Sequence, residues 1–142
     1  MSSVSRSALL PYPVTLVYGV VLDIENYSEF LPWCIRSEIL DQTQHSQIAS
    51  LTFKIKGITY TLVTKNTFES DEHISLDMVS GPVPEFSGQW LFNDLGRDVG
   101  CRVEFAASYQ LSGIKALFPK QLIGSAATRV VDAFVARCAE LL

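Results

Sequence analysis

The chain has 142 residues, of which 48% are apolar and 18% charged, with a formal net charge of −4. That length favours a single domain, 1–142, burying about two-thirds of its unfolded surface without staples, and the composition excludes a disordered segment. The acidic balance leaves no global basic footprint, so no DNA partner is expected and an RNA partner would need a local basic patch.

In chain order, Val4 to Leu10 reads as a first strand, stopped by Pro11 and Pro13. Pro13 suits the first turn of a helix. Val14, Val17, Tyr18, Val21 and Leu22 then form one apolar helical stripe. The uncharged run Ala8 to Leu22 looks like a signal-peptide core, but the prolines interrupt it and no small-x-small cleavage site follows. It is also too short for a bilayer, which needs roughly 20 apolar residues. The expectation is a soluble cytoplasmic protein. A second short helix, about Glu25 to Leu31, puts Tyr27, Phe30 and Leu31 on one face, and Pro32 ends it.

Period two then takes over. Ala49, Leu51, Phe53 and Ile55 alternate with Ile48, Ser50, Thr52 and Lys54, and Lys56-Gly57 makes a tight turn. Ile58, Tyr60, Leu62 and Phe68 share the next face, with Thr64 and Asn66 between them. Turns at Ser70–Glu72 and Ser80–Pro82 flank a strand with Ile74, Leu76 and Met78 on one side. Phe86, Gly88, Trp90 and Phe92 share a face before a polar hairpin, Asn93 to Gly100. Val99, Cys101, Val103, Phe105, Ala107 and Tyr109 then oppose Arg102, Glu104 and Ser108. One apolar face and one wet face mark an antiparallel meander. The last segment is helical, with Ile123, Ala127, Val130, Val131, Phe134, Cys138 and Leu141 on one side and Pro119 near its start or at a kink. A curved antiparallel sheet wrapping this helix satisfies the order, because the stripe is the one large cover available.

Catalytic signatures are missing: no GxSxG, P-loop, GxGxxG or HExxH occurs. His45 and His73 fall in or beside turns and read as solvated. Cys34, Cys101 and Cys138 are odd in number and far apart, with no CxxC or Cys/His ligand pair, so neither disulfides nor zinc are expected. Cys101 and Cys138 read as small buried hydrophobes. The excess is aromatic, 11% of the chain. Each ring alone suits an ordinary core. Together with Gly124, Ala126 and Ala127 on the helix they leave room for a ligand cavity.

Several stretches carry a resemblance. They are Arg6-Ser-Ala-Leu-Leu-Pro-Tyr-Pro, the block from Asp23 to Cys34 ending Tyr-Ser-Glu-Phe-Leu-Pro-Trp-Cys, Gly57-Ile-Thr-Tyr, Thr64-Lys-Asn and Ile74 to Pro82. Gly88-Gln-Trp-Leu-Phe, Cys101-Arg-Val and Val131-Asp-Ala-Phe-Val-Ala-Arg follow. In order and spacing the chain resembles the coenzyme Q-binding family of START-like domains (helix-grip, polyketide cyclase/dehydrase-like). That family includes bacterial ribosome association toxins of the RatA type. Val83-Pro84-Glu85 departs from the family's Phe-containing stretch, and Cys138 stands where alanine is expected.

The resemblance implies an α+β fold: a strand, two short helices, six more strands and a long C-terminal helix. It implies an apolar cavity binding ubiquinone or a related isoprenoid lipid in support of respiration; from the missing catalytic and ligand sets, neither catalysis nor another cofactor or metal is expected. The expected lining is Trp33, Phe53, Tyr60, Leu62, Met78, Phe86, Trp90, Phe105, Tyr109, Ala127, Val131 and Phe134. Tyr60, Asn66 and Tyr109 are the candidate polar partners of a headgroup. The mouth is expected near Glu25–Cys34 and the start of the last helix, with Trp33 in transient contact with the inner membrane surface. The alternative is an inhibitor that binds the large ribosomal subunit and blocks subunit joining. Lys115, Lys120, Arg129 and Arg137 against Asp132 and Glu140 make the C-terminal segment locally basic. An aromatic cyclase ranks last, since no titratable pair can be placed in the cavity.

Overall fold

The computed structural model describes residues 2–114 and 118–142, without the Lys120 side chain. Strand β1 (Ser2–Leu10) is followed by helix α1 (Val14–Leu22) and a short 3-10 helix (Ile24–Glu29). Six strands come next: β2 (Cys34–Gln42), β3 (Ser46–Ile55), β4 (Ile58–Glu69), β5 (His73–Ser80), β6 (Ser87–Gly96) and β7 (Gly100–Tyr109). Helix α2 (Lys120–Leu141) closes the order, and Pro119 stands immediately before its first residue.

The seven strands form one antiparallel sheet in the order β1-β7-β6-β5-β4-β3-β2. Six are joined as successive hairpins, and β1 closes onto β7, from Ser2 opposite Tyr109 to Leu10 opposite Cys101. The β3–β4 hairpin has a two-residue loop in which Lys56 and Gly57 both take positive φ, 52° and 81°. That is the loop whose twist matches its flanking strands. Gly100 opens β7 at φ +119°, where a Cβ would lie 2.0 Å from the Leu10 carbonyl oxygen, so only glycine lets β1 and β7 meet there.

Strand β2 escapes the period-two reading. Breaks in its register between Cys34 and Arg36, and between Ile39 and Asp41, shift the phase of its side chains. It is also an edge strand with Ile35 and Leu40 exposed, so no clean apolar face marks it. Two end residues also depart from expectation. Val99 is exposed because it lies in the β6–β7 turn, and Leu141 is exposed in the last turn of α2.

The core gathers where α1, α2 and the inner sheet face meet, with Val17, Cys101, Val131 and Cys138 nearly inaccessible. Trp90 is a hub. Its ring lies 4.9 Å from Phe105, 5.0 Å from Phe134 and 6.4 Å from Phe92. Tyr27 meets Phe134 edge-on at 5.2 Å and donates its hydroxyl proton to the Val21 carbonyl, tying the 3-10 helix to α1 and α2. Burial first, then nearby Asp23 and Cys34, raises the Tyr27 pKa, so the hydroxyl stays a donor.

Trp90→Ala should cost about 3–5 kcal/mol in denaturant melts, as large aromatic deletions in a core do. A loss below about 1 kcal/mol would contradict the packing just described. Burial, with Cys101 as a lesser cause, pushes the Cys138 thiol from 9.0 up to about 11. The folded state therefore holds this proton more tightly than the unfolded chain. The resulting stability is fully present below pH 9 and is lost as pH rises from 9 to about 11. Melts across that window should show the decline, and Cys138→Ala should flatten it.

Candidate functional site

The inner face of the sheet faces α2 across a gap. Along β3, Gln47, Ala49, Leu51, Phe53 and Ile55 point inward, and along β4 so do Tyr60, Leu62, Thr64 and Asn66. Ile74, Leu76, Trp90, Phe105, Ala107 and Tyr109 continue the wall across β5, β6 and β7. Helix α2 presents Ile123, Ala126, Ala127, Val130 and Phe134, one stripe at helical spacing. The two alanines hold the helix surface back from the sheet, and a cavity of about 240 Å³ remains.

Among the described residues the wall carries no charged side chain. The polar side chains among its described residues are few: Gln47, Thr64, Asn66, three tyrosines and the indoles of Trp33 and Trp90. Gln47 and Asn66 face each other in the β3–β4 register, and each is almost inaccessible, 3% and 2% exposed. The Thr64 hydroxyl donates to Asn66 Oδ1 at 2.8 Å. The Gln47 Oε1 atom is buried and has no hydrogen-bond partner among the described residues. A net charge could enter such a space only at a large desolvation cost, so the chemistry suits a neutral, mainly apolar ligand with a few polar atoms.

Leu31, Pro32 and Trp33 form another part of the wall, near Phe118 and Leu122 at the start of α2. Trp33 is held at φ 62°, its carbonyl accepts from the Lys54 N–H at 2.9 Å, and the Arg129 guanidinium lies 5.3 Å from its ring. Phe118 meets Tyr60 edge-on at 4.9 Å. Val83, from the stretch that departs from the family pattern, is also part of the wall.

Of the twelve expected lining residues, the structure brings ten to the cavity: Trp33, Phe53, Tyr60, Leu62, Phe86, Trp90, Phe105, Tyr109, Ala127 and Phe134. All three polar candidates, Tyr60, Asn66 and Tyr109, lie on its wall. Met78 and Val131 do not. The β4–β5 register breaks between Met78 and Ser80, and the Met78 sulfur leans toward Gly81, 3.3 Å from where a Cβ would stand. Val131 lies about 80° round α2 from Ile123 at 3.6 residues per turn, and is buried with Cys138 in the solid core. Gly124, expected to leave room for ligand, is exposed. Sequence reasoning missed Gln47 and the contributions of Val21, Ile24 and Tyr27. The signal for Gln47 was present: it is in phase with Ala49, Leu51, Phe53 and Ile55, a polar residue on an apolar face.

Comparison with known proteins agrees with this geometry. Residues 10–137 match the family described as polyketide cyclase/dehydrase and lipid transport. The chain is 33% identical over 140 residues to a ribosome association toxin RatA of Pseudomonas aeruginosa, covering 97% of this chain and 96% of that protein. A mitochondrial coenzyme Q-binding protein, COQ10, of Dictyostelium discoideum is 26% identical over 136 residues, covering 93% of this chain and 66% of that protein. In fold, a START superfamily protein from Mycobacterium smegmatis superposes with a TM-score of 0.82 at 17% identity, covering 99% of each chain. The chain therefore belongs to the polyketide cyclase/dehydrase and lipid transport family and has its START-like, helix-grip fold.

Proposed function

We propose that the protein is a non-catalytic carrier of ubiquinone or a related isoprenoid lipid in support of respiration. The observation that carries this reading is the cavity beneath α2, with no charged side chain among its described lining residues and a small buried polar group. A cavity of 150 Å³ lined by apolar side chains suffices for benzene, so about 240 Å³ takes a substituted ring. A long prenyl tail would not fit beside it and would leave between Trp33 and the start of α2. The likeness to a protein named for coenzyme Q binding supports the same ligand class.

Among the described residues, the titratable groups on the wall are Tyr27, Tyr60 and Tyr109, and the Tyr27 proton is already given to a backbone carbonyl. That favours carriage over the cyclase chemistry in the family's description. No helix among the described residues is long and apolar enough to cross a membrane. The carrier reading places the protein in the cytoplasm, meeting the inner membrane transiently through the half-buried Trp33.

A second reading, binding to the large ribosomal subunit, is favoured by the 33% identity to a RatA protein over nearly all of both chains. The basic residues of α2 argue less for it. Arg137 pairs with Glu29 at 3.0 Å and Glu140 at 3.5 Å, and Arg129 stacks on Trp33. Lys115 and the Lys120 side chain lie outside the described residues.

Protein purified without detergent from a respiring host should release quinone on solvent extraction, detected by mass spectrometry. A ligand-free protein that also ignores added ubiquinone would sink the carrier reading. Salt-sensitive co-sedimentation with large ribosomal subunits would instead support the second. Ala127→Trp should leave the melting temperature nearly unchanged, because the indole occupies ligand space, while quinone binding is lost. In a solid core the same change would overpack by roughly 1–3 kcal/mol. A collapsed melt, or unchanged binding, would contradict the placement of Ala127 against ligand.

A further inference from the structure

We propose that Gln47 is the headgroup acceptor of this cavity. Its side-chain carbonyl takes a hydrogen bond from a ligand hydroxyl, so the reduced hydroquinone is held in preference to the oxidised quinone. The proposal rests on the carrier reading above and deepens it.

Three observations lead there. Gln47 is 3% exposed and lies on the cavity wall, yet its Oε1 has no hydrogen-bond partner among the described residues. A buried acceptor left unmade is costly and uncommon, and a wall position lets a ligand meet the need. The neighbours do not supply the missing donor. Asn66 stands opposite in the β3–β4 register with its Oδ1 taken by the Thr64 hydroxyl at 2.8 Å, and neither its amide NH2 nor any other donor among the described residues makes a hydrogen bond to Gln47 Oε1. Thr64 has spent its one proton in that bond. Finally, among the described residues the cavity wall bears no cation whose proton could serve.

A quinone ring offers carbonyl and ether oxygens, all acceptors. The hydroquinone offers two hydroxyl donors. Gln47 Oε1 therefore discriminates by redox state. Against the quinone, two acceptors would face each other. No electron transfer is assigned to the protein; it binds one form more tightly than the other.

The test uses decylubiquinone and its hydroquinone, titrated anaerobically against the intact chain with tryptophan fluorescence as readout, since Trp33 and Trp90 both line the cavity. Wild type should bind the hydroquinone roughly tenfold more tightly, the scale of one buried hydrogen bond made or unmade. Tenfold corresponds to a rise of about 30 mV in the two-electron midpoint of the bound couple. Gln47→Leu should bring the two forms within about twofold while melting no lower than wild type, because it removes an unsatisfied group. A probe arm independent of any variant uses the hydroquinone dimethyl ether, which lacks both donors and should bind wild type as weakly as the quinone. Equal binding of both redox forms by wild type would overturn the Gln47 assignment and leave the carrier reading standing. Tighter quinone binding would also overturn it, showing that the amide NH2 faces the ligand. Binding of neither form would take down the carrier reading as well.

Discussion

A broad apolar sheet face with one helix to cover it is the constraint on which this molecule depends. Seven strands present inward side chains across a surface wider than a helix of about 10–12 Å diameter can fill. Where α1 adds a second layer the cover is complete, and Val17, Cys101, Val131 and Cys138 pack solidly. Toward β3 and β4 it is not, because α2 offers Ala126 and Ala127 there. Core and cavity are thus two halves of one interface, separated by the ring cluster around Trp90 and Phe134.

The division has an electrostatic side. Among the described residues no charge lies on the cavity wall, and ion pairs that hold α2 to its neighbours run around the outside, Arg6 to Asp132 and Arg137 to Glu29. Such exposed pairs contribute little stability individually, with a median of about 0–1 kcal/mol. Their value here is orientation. Arg137 also lies over Phe30 at 5.1 Å and Arg129 over Trp33, so two cations of one helix seat the segment that contributes Leu31, Pro32 and Trp33 to the wall.

Much of this was legible in the residues themselves. The stripe from Val14 to Leu22, the alternation from Ala49 onward and the Lys56-Gly57 turn each follow one local rule, and each lies where that rule puts it. The number of strands came from the family resemblance, since the residues of β2 obey no single period across its two register breaks. The site was read as a set of aromatics, because aromatics mark apolar space. Which side of α2 faces space and which faces core depends on where α1 lands, a contact that leaves no local pattern; Val131 is the case in point. Gln47 was passed over because one polar residue on an apolar face resembles noise until the opposing strand shows it has no partner.

Strand β2 ends the sheet, and its irregularity has a consequence beyond the cavity. A straight, unpaired edge is a template on which another chain can add a strand and start a fibre. Here the register breaks interrupt the ladder twice, and the 3-10 helix leans on what remains. The Ser37 hydroxyl donates to the Glu25 carbonyl at 3.2 Å and accepts from the Ser28 N–H at 3.3 Å. An incoming strand would have to displace that helix and then match an edge with no constant repeat. A chain that leaves Ile35 and Leu40 exposed is thereby guarded against growing by its own border.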